Sequence, residues 1–193
     1  MKDTAILTLK LFVITAIVAT LLGAVNMITK PIIASNAEKT FNEAMKEVLP
    51  NAKAEFKEFN INDLELPSDG VKVLSVYTDN VEGFVVSVKC TEGYGGDVEV
   101  MVGVTEDLKV SKVKIMSMSE TPGLGAKAQE PEFIDQFANL NGEIMVDKNG
   151  SAANAESKVE AISGATITSK AVTKAVNAAL EVTEAIKTKW GNK

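Results

Sequence analysis

From Leu11 to Ile28 the chain reads LFVITAIVATLLGAVNMI, with no charge and no polar face to interrupt it. As a helix this run is roughly 27 Å long, close to the thickness of a bilayer core. Ile6, Leu7 and Leu9 extend it, and Lys10 can snorkel toward the headgroups. A cleaved leader would have a shorter apolar run and a small-x-small site after it. No clear site of that kind precedes Asn36, so residues 1–30 are expected to form an uncleaved transmembrane anchor. Pro31 is expected to end or kink it. A second helix follows from Asn36, the cap, to Leu49, with Phe41, Ala44, Met45, Val48 and Leu49 on one stripe and Pro50 beyond the end. Residues 31–70 therefore read as a juxtamembrane helix and a polar, irregular connection.

Beyond residue 70 the period drops to two. VKVLSVY (71–77), VEGFVVSVKC (81–90), DVEVMVGVT (97–105) and LKVSKVKIMSM (108–118) are β-branched, closely spaced segments. The turns Thr78-Asp79-Asn80 and Glu106-Asp107 join them in pairs, which predicts an antiparallel sheet. PEFIDQFANL (131–140) reads as a short helix opened by Pro131, and GEIMVDK (142–148) and KVEAIS (158–163) as short strands. Val172, Val176, Ala179, Thr183, Ile186 and Trp190 then repeat every three to four residues, which predicts a final helix from about Thr168 to Trp190. The expected fold class is α+β: a single N-terminal transmembrane helix, then an antiparallel-sheet domain over residues 71–193 with a long C-terminal helix.

Composition narrows the chemistry. The net charge is −6, and all 20 basic residues are lysine, with no arginine and no histidine. A nucleic-acid partner is excluded, for want of a basic face and arginine forks. No serine–histidine triad, histidine-ligated haem or common zinc site is possible. The single cysteine, Cys90, can form neither an internal disulfide nor a cluster site. No catalytic residue and no metal site is expected. Redox chemistry in such a chain requires a borrowed organic cofactor. Lysines flank the anchor on both sides (Lys2 and Lys10 before, Lys30 and Lys39 after), so charge bias sets no orientation.

Three stretches could hold that cofactor. EGYGGDVEV (92–100) is glycine-rich, with neither a Walker spacing nor a dinucleotide fingerprint, and reads first as a connection between strands. SETPGLGAK (119–127) follows a strand. Pro122-Gly123 fits a type II turn and Gly125 adds a second permissive position. Glu120, Thr121 and Lys127 offer hydrogen-bonding groups there, and Leu124 offers an apolar surface for a planar ring. ISGATITSKAV (162–172) crowds Ser163, Thr166, Thr168 and Ser169 at the entrance of the last helix. Ser163 or Thr168 suffices as N-cap. Gly164-Ala165 leaves the backbone open, and a phosphate there would meet free N–H groups and the positive end of the helix dipole. Either Thr166 or Thr168 could carry that phosphate as an ester.

ETPGLG (120–125) and SGATITS (163–169), in this order on an anchored domain, resemble the FMN-binding domain family. Over nearly the whole chain the sequence is similar to the G subunits of Rnf electron-transport complexes. The resemblance implies FMN attached as a phosphoester to Thr166 by a flavin transferase that uses FAD. It implies a phosphate surround of Ser163, Gly164, Ala165, Thr168 and Ser169, and flavin contacts from Glu120, Thr121, Gly123, Leu124, Gly125 and Lys127. It also implies a domain on the extracytoplasmic side of the cell membrane, with other membrane subunits as partners. The activity implied is electron relay within a ferredoxin:NAD oxidoreductase coupled to ion transport: a translocase component rather than a complete enzyme. Many relatives carry a histidine just ahead of ETPGLG, where this chain has Met118 and Ser119. The alternatives are the C-type FMN subunit of a sodium-pumping NADH:quinone reductase, a free-standing anchored flavoprotein, and a flavin-free binding or assembly module.

Overall fold

The computed structural model describes residues 2–190 apart from 54, 62, 63, 65, 80 and 149–156. The chain forms two compact units, Met1–Glu43 and Ala44–Lys193. The first is occupied by helix α1, Lys2–Val48, whose last residues belong to the second unit. The helix runs through Pro31, so it does not end there, and through Asn36, which corrects the expected second helix start. Proline removes one N–H from the ladder without having to end it, a loss that apolar membrane helices commonly tolerate. The hydroxyls within the apolar run are satisfied inside the helix: Thr15 donates to Leu11 O (3.0 Å), Thr20 to Ala16 O (2.8 Å) and Thr29 to Val25 O (3.0 Å). That is the pairing a hydroxyl needs where no water is present. Among the described residues, this is one helix long and apolar enough to cross a bilayer.

The second unit is built on a five-stranded antiparallel sheet in the order β1-β2-β3-β4-β5. β2 (Val71–Thr78), β3 (Gly83–Cys90), β4 (Val98–Thr105) and β5 (Val110–Ser117) match the four segments of period two, each trimmed where its turn begins. β1 (Lys57–Glu58) pairs with the end of β2 and was not legible, since two exposed polar residues carry no alternation. A short helix α2 (Pro131–Ile134), flanked by single 3-10 turns, replaces the longer helix expected over 131–140. β6 (Met145–Asp147) and β7 (Lys158–Glu160) form a separate parallel pair. Helix α3 spans Thr166–Trp190.

Both faces of the sheet centre are covered. On one face Val86, Val88, Val100, Val102 and Val104 pack against Val172, Ala175, Val176, Ala179 and Ile186 of α3. On the other, Val85 and Met101 are buried, as are Ala44, Met45, Val48 and Leu49 at the end of α1. The approach is close at Gly103, where a Cβ would stand 2.0 Å from the carbonyl oxygen of Val48. β3 and β4 are valine-rich because both their faces are interior, and each fully buried valine contributes roughly 1.5–3 kcal/mol. Asp79 closes the β2–β3 turn. Its Oδ1 accepts from the N–H groups of Val81 (3.2 Å), Glu82 (2.8 Å) and Gly83 (3.2 Å), and Oδ2 from that of Lys53 (3.1 Å).

Candidate functional site

Three loops that are far apart in sequence meet at the head of α3. The first follows β5. Leu124 N–H donates to Thr121 O (3.2 Å), and Gly123 sits at φ +79°, so Thr121-Pro122-Gly123-Leu124 makes a turn with proline and a positive-φ glycine at its corners. The second precedes α3. Ala165 N–H donates to Ile162 O (2.9 Å), and Gly164 has φ +76°. Gly164 also touches the first turn, since a Cβ there would meet Leu124 Cδ2 at 3.2 Å. The third is the glycine-rich connection between β3 and β4. Gly95 N–H donates to Glu120 Oε1 (3.2 Å), and a Cβ on Gly95 would stand 2.1 Å from Ser119 O. The same loop is tied to α3 by Lys174, which pairs with Glu92 (2.7 Å) and Asp69 (3.1 Å). The hydrogen bond that Lys174 donates to Glu92, with help from the one to Asp69, raises the Lys174 ammonium above its usual range.

Together the loops wall a cleft of about 560 Å³. Glu120, Thr121, Leu124 and Gly125 line it from the first turn, and Gly164, Ala165, Thr166 and Thr168 from the second. Tyr94 and Ile167 complete it. α3 begins at Thr166, two residues before the expected start. Ser169 N–H bonds to Ala165 O (3.0 Å), so Ala165 holds the cap position, which corrects Ser163 or Thr168 as cap. Alanine has no side-chain oxygen to offer, so Thr166, Ile167 and Thr168 present N–H groups with no intrahelical acceptor. The hydroxyls of this region differ. Thr166 is half-buried on the cleft wall, and Thr168 is 1 % exposed. Ser169 Oγ accepts from Ile162 N–H (3.0 Å) and donates to Ala165 O (3.0 Å), so it braces the turn from beneath.

The remaining residues singled out by sequence lie elsewhere. Ser163 and Lys127 line a separate hollow of about 240 Å³, and Gly123 is exposed at the tip of its turn. Tyr94 was missed as a lining residue, although one aromatic among glycines was the available signal. Another hollow, of about 530 Å³, holds Asp107, Glu143, Glu181 and Glu184 but none of the three loops. Among the described residues no group of side chains is arranged to hold a metal ion.

The cleft fits FMN by the chemistry of its walls. Open N–H groups at a helix start suit a phosphate. Tyr94, Leu124 and Ile167 supply apolar surface for a planar ring. At Gly125 a Cβ would stand 2.5 Å from Glu120 Oε2 and 2.7 Å from Thr168 Oγ1, so any larger residue there would collide with two of the side chains that line the cleft.

Comparison with known proteins agrees with this geometry. Residues 93–181 match the FMN-binding domain family. The chain is 36% identical over 187 residues to the G subunit of the Na(+)-translocating ferredoxin:NAD(+) oxidoreductase complex of Acetobacterium woodii, covering 91% of this chain and 89% of that protein. It is 36% identical to the G subunit of the proton-translocating ferredoxin:NAD(+) oxidoreductase complex of Clostridium ljungdahlii, over 83% of this chain and 81% of that one. It is 34% identical to the G subunit of the ion-translocating oxidoreductase complex of Methanosarcina acetivorans, over 95% and 96%. The crystal structure of Shewanella oneidensis NqrC shares the fold, with a TM-score of 0.51 at 22% identity over 61% of this chain and 59% of that one.

Proposed function

The chain belongs to the family of Rnf-type G subunits, FMN-binding proteins of ion-translocating oxidoreductase complexes, and on that premise we propose that it relays electrons through FMN esterified to Thr166. The observation that carries the reading is the meeting of Glu120, Thr121, Leu124 and Gly125 with residues 164–168 in one cleft at the head of α3. Bound there, FMN supplies one- and two-electron redox chemistry to a chain with no redox group of its own.

The chain's own residues divide the work. The first-turn N–H groups of α3 hold the phosphate. Leu124 and Tyr94 take the faces of the ring, and Gly125 and Gly164 keep the backbone close. Attachment is a group transfer from FAD by a flavin transferase. Thr166 Oγ1 forms the new bond to the FMN phosphorus, the bond from that phosphorus to AMP breaks, AMP leaves, and the threonine proton is lost to solvent or a base of the transferase. Exposure supports Thr166 over Thr168, since an acceptor hydroxyl must be reached and Thr168 is 1 % exposed. Ser169 acts on the turn rather than on the cofactor, through its two bonds.

The apolar helix α1 and the membrane complexes of the relatives support a membrane location. The FMN domain lies on the extracytoplasmic side, and the partners are the other membrane subunits of the complex. The ferredoxin:NAD reading is favoured over a C-type component of a quinone reductase, because identities of 34–36% run along most of the chain, whereas NqrC shares only the fold. The test is flavin fluorescence that stays with the band in denaturing electrophoresis of protein from the native host. Thr166→Ala is expected to abolish it in a folded chain, while Thr168→Ala retains part of it. Peptide mass mapping that places the phosphoryl-FMN on Thr168 would reject the assignment.

A further inference from the structure

We propose that Lys174, which lies outside the cleft, is a positioning residue for the flavin: through Glu92 it fixes the glycine-rich connection and so holds the Tyr94 ring against a face of the bound ring. This rests on the cleft being the FMN site, with Tyr94 on the flavin. Tyr94 lines the cleft yet is 71 % exposed, so its own packing does not hold it. Its neighbours Gly93 and Gly95 leave the backbone permissive on both sides. The ring is therefore placed by the ties that hold the rest of the loop. One tie lies after it, where Gly95 N–H donates to Glu120 Oε1 at 3.2 Å. The other lies before it, at Glu92, and Lys174 makes it.

The geometry of that tie gives Lys174 its part. Lys174 Nζ donates to Glu92 at 2.7 Å and to Asp69, in the segment ahead of β2, at 3.1 Å. Glu92 also presses on that segment. A Cβ on Gly70 would stand 2.1 Å from Glu92 Oε1, and Thr91 N–H donates to Gly70 O at 2.9 Å. Two carboxylates thus share one ammonium. Without it, Asp69 and Glu92 face each other with like charge, and repulsion drives Glu92 off Gly70. The loop follows, since Gly93 alone separates Glu92 from Tyr94. Along α3, Lys174 falls on the same face as Ile167, two turns and roughly 10 Å further from the helix start. Ile167 lines the cleft, so one helix face sets one wall directly and a second wall through the ion pair. Ion pairs between side chains this exposed add little to global stability. Loss of the pair therefore changes the placing of the loop and leaves the fold standing.

The test uses the full chain, flavinylated and in detergent, and reads the fluorescence lifetime of the bound flavin. A phenol lying on an excited flavin lends it an electron and takes it back, which shortens the lifetime steeply with proximity. Tyr94→Leu removes the phenol and is expected to lengthen the lifetime. Lys174→Met is expected to lengthen it part of the way, and Lys174→Arg to restore the wild-type value. In a chain that already carries Tyr94→Leu, Lys174→Met is expected to add nothing. A flavinylated Lys174→Met protein with the wild-type lifetime, beside a lengthened Tyr94→Leu, would overturn the proposal. Further lengthening by Lys174→Met in the Tyr94→Leu chain would reject it too, since Lys174 would then act by another route. Loss of covalent flavin from a folded Lys174→Met protein counts against it equally, because a residue that acts on the loop leaves the Thr166 end intact. Where Lys174→Met does not fold, Glu92→Ala cuts the same tie from the loop side, and a wild-type lifetime there is the refuting result. Failure of the FMN reading itself would be seen earlier, as wild-type protein without covalent flavin. Failure of the Tyr94 contact would be seen as Tyr94→Leu with the wild-type lifetime, and the proposal would fall with it.

Discussion

At the scale of single residues, side chains of similar chemistry are assigned different work by where they stand. Ser169 and Thr166 are three positions apart; one hydroxyl is consumed in bracing the turn, and the other lines the cleft. Asp79 shows the same economy at the opposite end of β3. Burial would push its carboxyl up, but the N–H groups of Glu82, Val81, Gly83 and Lys53 together outweigh this and hold it below the usual carboxylate range. A group depressed in the folded state stabilises above its unfolded value, about 3.9, and that contribution is lost as pH falls through the lower folded value. Asp79→Asn should therefore lower stability by about 2 kcal/mol at pH 7, with the difference from wild type fading as pH falls through the lowered folded value. Thermal unfolding of both proteins across that range checks it; a difference that persists undiminished in acid would assign the loss to shape rather than charge.

At the scale of elements, the sheet was legible because its signal is local. Valine at alternate positions marks β2 to β5, and their ends fall at Asp79 and at the turn of residues 106–109, where alternation stops. What was not legible depends on partners distant in sequence. Pro31 and Asn36 look like punctuation, yet α1 passes through both. The cap of α3 fell on Ala165, which no capping preference selects, because the Ile162–Ala165 turn and Ser169 already fix the chain. The two turns of the cleft could be read from their glycines, and the resemblance named their ligand. Tyr94 could not be placed, since the bond from Gly95 to Glu120 that brings its loop over joins residues 25 positions apart. Gly103 is a similar case, an ordinary strand glycine in sequence that faces backbone in the fold. Gly103→Ala would put a Cβ 2.0 Å from Val48 O, and backbone cannot give way as a side-chain tip can. A loss of about 3 kcal/mol is expected in denaturant unfolding of the full chain; wild-type stability would mean that the end of α1 moves aside freely.

At the scale of the whole molecule, the chain joins an apolar helix to a domain with its own core. The anchor is expected to remain on the mature protein, with the FMN domain open to protease added to intact cells. Mass spectrometry of the mature N-terminus checks the first point, and a chain beginning near Ala34 would refute it. Domain fragments that survive external protease in intact cells and are lost after permeabilisation would refute the second. The cleft is walled by Tyr94, by Glu120, Thr121, Leu124 and Gly125, and by residues 164–168, the last of which open the final helix. A cleft assembled in this way has a history as well as a shape. While the ribosome is still adding the last helix, Glu120 and Tyr94 have nothing to face, and the threonine that closes the site has barely been made. On the proposed reading, loading with cofactor would be one of the latest events in the life of the newborn chain. A copy truncated before α3 lacks Thr166, Ile167 and Thr168, and with them one wall of the cleft.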